Sequence, residues 1–318
     1  MFGYFESLFN RNVQERPENI SANRYGVPSP PGNKTSIIAI ANQKGGCGKT
    51  TTSINLSAAL AKMGLKVLII DLDAQSQSSL SIGINEDDLK YSIYDVIVKN
   101  LELEKAIVPT GIQNLDIVPA SSMLTGAQLE IANLSGREWI LRTSIYKMIN
   151  TGCRNYDYII MDCSPSLNLT TINGLVSAEF ILIPAQTHYL SLEGMKELLL
   201  TIKTVKNQLN PRLRILGILP TLYDIRTRIS REILAQMRQY FGDMIFKTAI
   251  HTNVKLIEAQ VHKMPIHEFA PDSNGARDYL ALSKEVVSRT RPEFSQTDSK
   301  EQAANVEDIM QGYELSKV

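Results

Sequence analysis

Between a short apolar run, Ile37 to Ala41, and a helix-length segment, Thr50 to Met63, the chain reads Ala41-Asn42-Gln43-Lys44-Gly45-Gly46-Cys47-Gly48-Lys49-Thr50-Thr51. A strand that enters a glycine-rich turn and leaves as a helix admits few folds. The glycines let the backbone curl until successive N–H groups face one point, and the helix adds its positive N-terminal end there. Such a turn cradles phosphate. Lys49 offers a point charge to the β and γ phosphates and the Thr50 hydroxyl a ligand to magnesium, while Gly45, Gly46, Cys47, Gly48 and Thr51 complete the nucleotide loop. The spacing departs from G-x-x-x-x-G-K-[ST] in one respect. Gln43 stands where the first glycine belongs, and a second lysine, Lys44, precedes Gly45-Gly46.

From Ser36 onward, apolar runs of strand length alternate with helix-length amphipathic segments. Strands are expected at Ile37 to Ala41, Val67 to Leu72, Leu115 to Val118, Tyr158 to Met161, Phe180 to Ile183 and Ile215 to Leu219, with a short one near Thr248. Helices are expected at Thr50 to Met63, Ile93 to Lys99, Ser122 to Asn133, Arg137 to Asn150, Leu169 to Ser177, Leu192 to Leu209, Arg228 to Phe241, Val254 to His262 and Gly275 to Ser288. Runs such as Val67-Leu68-Ile69-Ile70 lack polar alternation, as strands do when helices cover both faces of a parallel sheet. The fold class is therefore α/β, a doubly wound, mostly parallel sheet whose ligand site lies at the carboxyl ends of its strands. Residues 1–34 read as an extension with Phe2, Phe5, Leu8 and Phe9 at its head and a linker at Pro28-Ser29-Pro30-Pro31-Gly32. Residues 35–290 form the nucleotide-binding domain, and 291–318 an acidic, flexible tail.

A magnesium-nucleotide site needs carboxylates at the ends of neighbouring strands. Two apolar runs supply them. Val67 to Ile70 leads into Asp71-Leu72-Asp73, whose aspartates share one side because they are two apart, and Tyr158 to Met161 leads into Asp162. Strand-end aspartates also cap and start turns, but three of them beside a phosphate loop are better explained by the metal.

The formal net charge is zero, yet it is unevenly spread. Residues 201–260 carry ten basic side chains against four acids, a net +6, and the segment after Pro292 carries −4. That local excess favours a phosphate-backbone surface over a set of unrelated solvated lysines and arginines. Three cysteines without C-x-x-C spacing, Cys47, Cys153 and Cys163, fit neither a disulfide framework nor a zinc site. His188, His251, His262 and His267 show no metal spacing. No apolar run approaches the ~20 residues a spanning helix needs, and no secretory leader opens the chain, so a cytoplasmic location is expected.

The loop resembles the deviant Walker A motif of the ParA/MinD ATPases, and a wider similarity to ParA proteins of the Soj type spans about residues 35 to 290. It includes Val118-Pro119-Ala120, Pro184-Ala185-Gln186, Leu209-Asn210-Pro211, Met264-Pro265-Ile266 and Gly275-Ala276. The resemblance implies an ATPase with ATP and Mg2+ as cofactors. It gives Asp162 the magnesium, held through water, makes Asp71 and Asp73 the acids of the first switch, and has Asp73 position the hydrolytic water. It implies that Lys44 reaches the partner's nucleotide across a two-fold axis, so that ATP glues a sandwich homodimer. It also implies nonspecific double-stranded DNA contacts at Arg226 and Lys255, an adenine-side contact at Asn253, and a ParB-type centromere-binding partner that stimulates hydrolysis on a bacterial nucleoid. Ser164 replaces a proline of the second switch, which is expected to loosen that loop, and His251 and Thr252 replace a proline and a basic residue. A MinD-like membrane-positioning role would need a basic amphipathic tail, whereas this one is acidic, so no stable membrane anchor is expected. A ParA-like positioner of a non-DNA cargo remains a third option.

Overall fold

The computed structural model describes residues 35–187 and 191–291. The aromatic head and linker, His188 and the acidic segment from Pro292 lie outside the described residues. The order of elements is β1 (Ser36–Ile40), α1 (Lys49–Lys62), β2 (Val67–Asp71), α2 (Gln77–Leu80), α3 (Ile93–Lys99), β3 (Val108–Pro109), β4 (Leu115–Val118), α4 (Leu124–Glu130), α5 (Ile140–Thr151), β5 (Tyr158–Asp162), α6 (Leu169–Ser177), β6 (Phe180–Gln186), α7 (Ser191–Gln208), β7 (Arg214–Thr221), α8 (Arg228–Phe241), α9 (Val254–Val261), α10 (Ile266–Phe269) and α11 (Asn274–Thr290).

The seven strands form one sheet in the order β3-β4-β2-β5-β1-β6-β7. Every pair is parallel except β3 with β4. Because consecutive side chains point to opposite faces, each buried strand feeds two apolar layers. Ile37, Leu68, Ile70, Ile159 and Met161 face one layer, which α3 to α8 cover. Ile38, Ile40, Val67, Ile69, Tyr158 and Ile160 face the other, under α1, α9, α10 and α11. The doubly wound expectation holds, and the central strands are buried along their whole length for this reason.

The short elements β3, α2 and α10 were not expected from the sequence, and two further differences lie at the β6–β7 side of the sheet. No strand forms near Thr248; residues 245–251 run beside β7 but meet it only at single bridges, Ile218 with Ile245 and Tyr223 with His251. Those contacts give the edge strand partners, since Phe246 N donates to Ile218 O and Ile250 N to Pro220 O, yet too few successive bonds form to make a ladder. The sixth strand also continues past Ile183 to Gln186, because its pairing with β7 runs from Phe180 with Arg214 to Gln186 with Thr221.

Candidate active site

The phosphate loop sits where β1 ends, between the carboxyl ends of β5 and β6. Gly46 and Gly48 adopt left-handed φ values of 69° and 89°, a region a side chain disfavours, which explains the glycines at these two turns. Two of the loop carbonyls are held from strand ends and one from the first residue of α1. Lys44 O accepts from Lys49 Nζ at 3.3 Å, Gly46 O from Gln186 Nε2 at 2.8 Å and Cys47 O from Thr221 Oγ1 at 2.8 Å. Across a trans peptide the next N–H points the opposite way, so the amides of Gly45, Cys47 and Gly48 turn away from these holders. Asn42 anchors the loop entry, accepting from Lys44 N at 3.0 Å and donating to Pro184 O at 2.7 Å. Gln186 and Thr221 were not picked out as loop supports by the sequence, although Pro184-Ala185-Gln186 belongs to the similarity noted above.

Lys49 is 7% exposed and forms no ion pair within 4.0 Å among the described residues. A buried ammonium with only a carbonyl partner is poorly compensated, and the amides beside it face the same need for an anion. A nucleotide phosphate fits both. Lys44 is half-buried and Gly45 and Gly46 are exposed, so this lip of the loop is open to a second molecule. Burial pushes the Cys47 thiol up, with Lys49 pulling it part of the way back. It is therefore a small apolar filler beneath the loop.

Asp71 and Asp162 are direct partners in the register of β2 and β5, and both are fully buried. Asp162 Oδ1 accepts from Ser53 Oγ at 3.0 Å and Oδ2 from Ser78 Oγ at 2.7 Å, and the Thr50 hydroxyl is near enough to favour its ionised form. Asp71 Oδ2 accepts from Ser79 N at 3.0 Å and Ser79 Oγ at 2.8 Å, and its Oδ1 from Asp73 N at 3.2 Å. Burial first, then the facing Asp162 charge, raises Asp71 to about 7. Burial also raises Asp162, against the hydroxyls and Lys49 that favour its ionised form. Two carboxylates crowded in this way beside the Thr50 hydroxyl suit a divalent cation, whose charge would relieve both. Asp73 is half-buried, its Oδ1 accepting from Gln75 N at 3.1 Å. Ser53, Ser78 and Ser79 were missed in the sequence because serines give no periodic signal; only their closeness to Asp71 and Lys49 hinted at them.

In the loop after Asp162, Ser164 is hydrogen-bonded to Ser166. Ser164 Oγ lies 2.7 Å from Ser166 Oγ and accepts from Ser166 N at 3.2 Å, so the serine side chain supplies a turn restraint in place of the proline ring. Asn253 caps α9, its Oδ1 accepting from Lys255 N at 2.9 Å. The far end of α9 is tied to α1, where Gln260 Nε2 donates to Thr51 Oγ1 at 3.0 Å. His251 meets Asp278 Oδ2 at 3.0 Å and His262 stacks on Phe269 at 4.9 Å. Among the described residues no cluster of His, Cys, Asp and Glu could hold a metal by itself, and no helix is long and apolar enough to cross a membrane.

Arg226 and Lys255 follow β7 on two neighbouring segments, which the bridge between Tyr223 and His251 brings side by side. Both are exposed and both are engaged. Arg226 grips Asp224 with Nε and Nη2 at 2.9 and 2.8 Å, and Lys255 Nζ lies 2.7 Å from Glu258.

The AAA domain family model matches residues 35–215. The sporulation initiation inhibitor protein Soj of Bacillus subtilis is 43% identical over 79% of this chain and 98% of its own. The chromosome partitioning protein ParA of Myxococcus xanthus is 40% identical over 80% of this chain and 89% of its own. Among solved structures, a cobyrinic acid a,c-diamide synthase from Mycobacterium smegmatis, with bound ATP analog and magnesium, superposes with a TM-score of 0.69 at 33% identity, covering 80% of this chain and 95% of that one. With a Soj relative matched along nearly its full length and the loop and strand-end acids in place, the chain belongs to the Soj/ParA family of partition ATPases.

Proposed function

We propose that this ATPase partitions plasmid or chromosomal DNA by a cycle in which ATP closes a homodimer that binds double-stranded DNA without sequence preference, and a ParB-type partner stimulates hydrolysis to open it. The observation that carries the reading is Lys49, a buried ammonium with no ion pair within 4.0 Å among the described residues, at the mouth of a loop whose Gly46 and Cys47 carbonyls are held by the ends of β6 and β7. It sits beside twin buried aspartates. That arrangement suits a triphosphate and magnesium and has no evident structural use otherwise.

In the reaction, the loop amides and Lys49 hold the β and γ phosphates in place, while Asp73 orients a water for in-line attack on the γ-phosphorus. Thr50 and, through water, Asp162 would hold magnesium, which supplies positive charge to the phosphate oxygens when bound. Asp71 keeps the Asp73 amide at 3.2 Å and so places the water-orienting residue. Lys44, on the open lip, is free to reach a partner's triphosphate. Loss of the γ-phosphate removes the negative charge that satisfies it and weakens the dimer.

DNA binding is supported by the net +6 of residues 201–260 and by the exposure of Arg226 and Lys255. With no base-reading module, the contacts should be to phosphates and should fall steeply with salt. The protein would then work in the cytoplasm, on the nucleoid. The test is DNA retention measured with ATP, ADP and no nucleotide, alongside the molar mass from light scattering. ATP should produce both dimer and retention. Retention that ignores the nucleotide, or ATP-dependent binding to lipid vesicles in its place, would overturn the reading.

A further inference from the structure

The two buried carboxylates are held by adjacent residues of one short helix. Ser78, in α2, donates through its hydroxyl to Asp162 on β5, and Ser79 donates through its hydroxyl and its amide to Asp71 on β2. A serine that merely finished a helix would bond its own backbone; these two reach outward to different strands. The peptide link between Ser78 and Ser79 joins the two sets of bonds. Asp162, Ser78, Ser79 and Asp71 lead to the amide of Asp73, and Ser79 Oγ accepts from Ala120 N at 3.3 Å on the far side. Just before α2, Ser76 has a left-handed φ of 52° and a buried hydroxyl without a partner among the described residues. A non-glycine residue in that region costs free energy, so the segment enters α2 under local strain.

We propose that Ser78 and Ser79 are positioning residues that couple the magnesium site to the placement of Asp73; this rests on the assignment of Asp162 to magnesium. Ser78 bonds the Oδ2 oxygen of Asp162 and Ser53 the Oδ1 oxygen, so a metal-bound water donating to Asp162 must share an oxygen with one of the two hydroxyls and crowds it. Ser53 lies within α1, buried and fixed by a second bond to Lys49 O at 3.0 Å. Ser78 sits on a four-residue helix with a strained entry and is the one that yields. Because Ser79 is its neighbour on that helix, a shift of Ser78 moves the bond to Asp71, whose other oxygen holds the Asp73 amide. Metal occupancy is thereby read out at the residue that orients the water.

The test follows amide hydrogen exchange of residues 72–83 in the full chain, saturated with ADP, with and without magnesium. In the unaltered protein magnesium should change the protection of this segment. Ser78→Ala should abolish that change while fluorescent ADP still binds, and kcat for ATP should fall about tenfold at unchanged KM. Ser78→Thr, which keeps the hydroxyl, should restore both. Ser79→Ala breaks the next bond and should give the same loss, which covers the case where one variant folds poorly. Full magnesium-dependent protection and normal kcat in both alanine variants would overturn the proposal. Asp162→Asn separates the two levels: if it loses the magnesium response while Ser78→Ala keeps it, only the coupling fails, and if it keeps the response, the assignment of Asp162 fails first.

Discussion

The phosphate end of the sheet and the basic surface beyond β7 are built on opposite principles. At the phosphate end the charged groups are buried and each has a task that the backbone imposes: Lys49 is 7% exposed, Asp71 and Asp162 are not exposed at all, and side-chain hydrogen bonds hold the loop and both acids. On the basic surface Arg226 has 82% of its side chain exposed and its partner Asp224 sits two residues away. A buried charge cannot exchange its partner for water without a large desolvation cost, whereas an exposed pair does so freely. The first region therefore discriminates one ligand chemistry, and the second is a field that any polyanion could use.

The strongest way to break this contrast is Lys49→Ala. If the buried end is a nucleotide site, ATP affinity should fall by about 100-fold or more, since the triphosphate loses its one buried cation. Isothermal titration would show this directly, and unchanged affinity would contradict the loop assignment. Next in size is Asp73→Ala, which leaves the loop intact and removes only the water-orienting carboxylate. Hydrolysis should drop by about 100-fold while ATP binding persists, and the protein should accumulate as an ATP-bound dimer. A variant that stays monomeric with ATP by light scattering would refute its role.

How far each region could be read from the sequence follows the same divide. The loop was legible because glycines with positive φ, a lysine and a hydroxyl at fixed spacing leave the backbone little choice, and the sheet because Val67 to Ile70 and Tyr158 to Met161 must be covered on both faces. The aspartates were legible from their place at strand ends. What escaped were partners set by tertiary approach: Gln186 and Thr221 reach the loop from 140 and 174 residues away in sequence, and Ser53 reaches Asp162 from 109. Likewise the strand expected near Thr248 failed because its hydrophobic pattern reports burial, not the number of ladder bonds the edge accepts. On the surface, the sequence showed the charge of Arg226 and Lys255 but not that Asp224 and Glu258 had engaged them.

A smaller effect sharpens the comparison through pH. His267, in α10, is buried with its Nε2 unpartnered among the described residues, and burial together with the nearby Lys62 charge lowers it to about 4. The unfolded chain takes up this proton near pH 6.5 and the folded one only near 4, so stability from this group is complete above the first value and is lost as pH falls toward the second. Denaturant unfolding between pH 7 and 4.5 should lose about 2 kcal/mol that His267→Gln does not lose. Asp224, half-buried and pulled down to about 2 by the Arg226 guanidinium, titrates too far below neutrality to add comparable pH dependence there. Equal pH profiles for the histidine variant and the parent would mean that the site behind α10 is wetter than its 6% exposure implies.

The smallest expected effect is the most direct probe of the basic surface. Arg226→Glu reverses one charge and leaves Asp224 facing another acid, whereas Asp224→Asn removes the internal competitor for the same guanidinium. If phosphates bind here, the first change should weaken DNA retention about threefold to tenfold at low salt and the second should strengthen it by less, because Arg226 is then released without a new charge. Both differences should shrink as salt rises, since exposed charges are screened beyond about 10 Å at 0.1 M. Thermal midpoints should stay within about 1 °C of the parent, as exposed pairs contribute little to folding. A pair of opposite shifts in retention with no shift in melting can only come from a surface that acts through its charge, and equal retention of all three proteins at every salt concentration would move the DNA face away from β7.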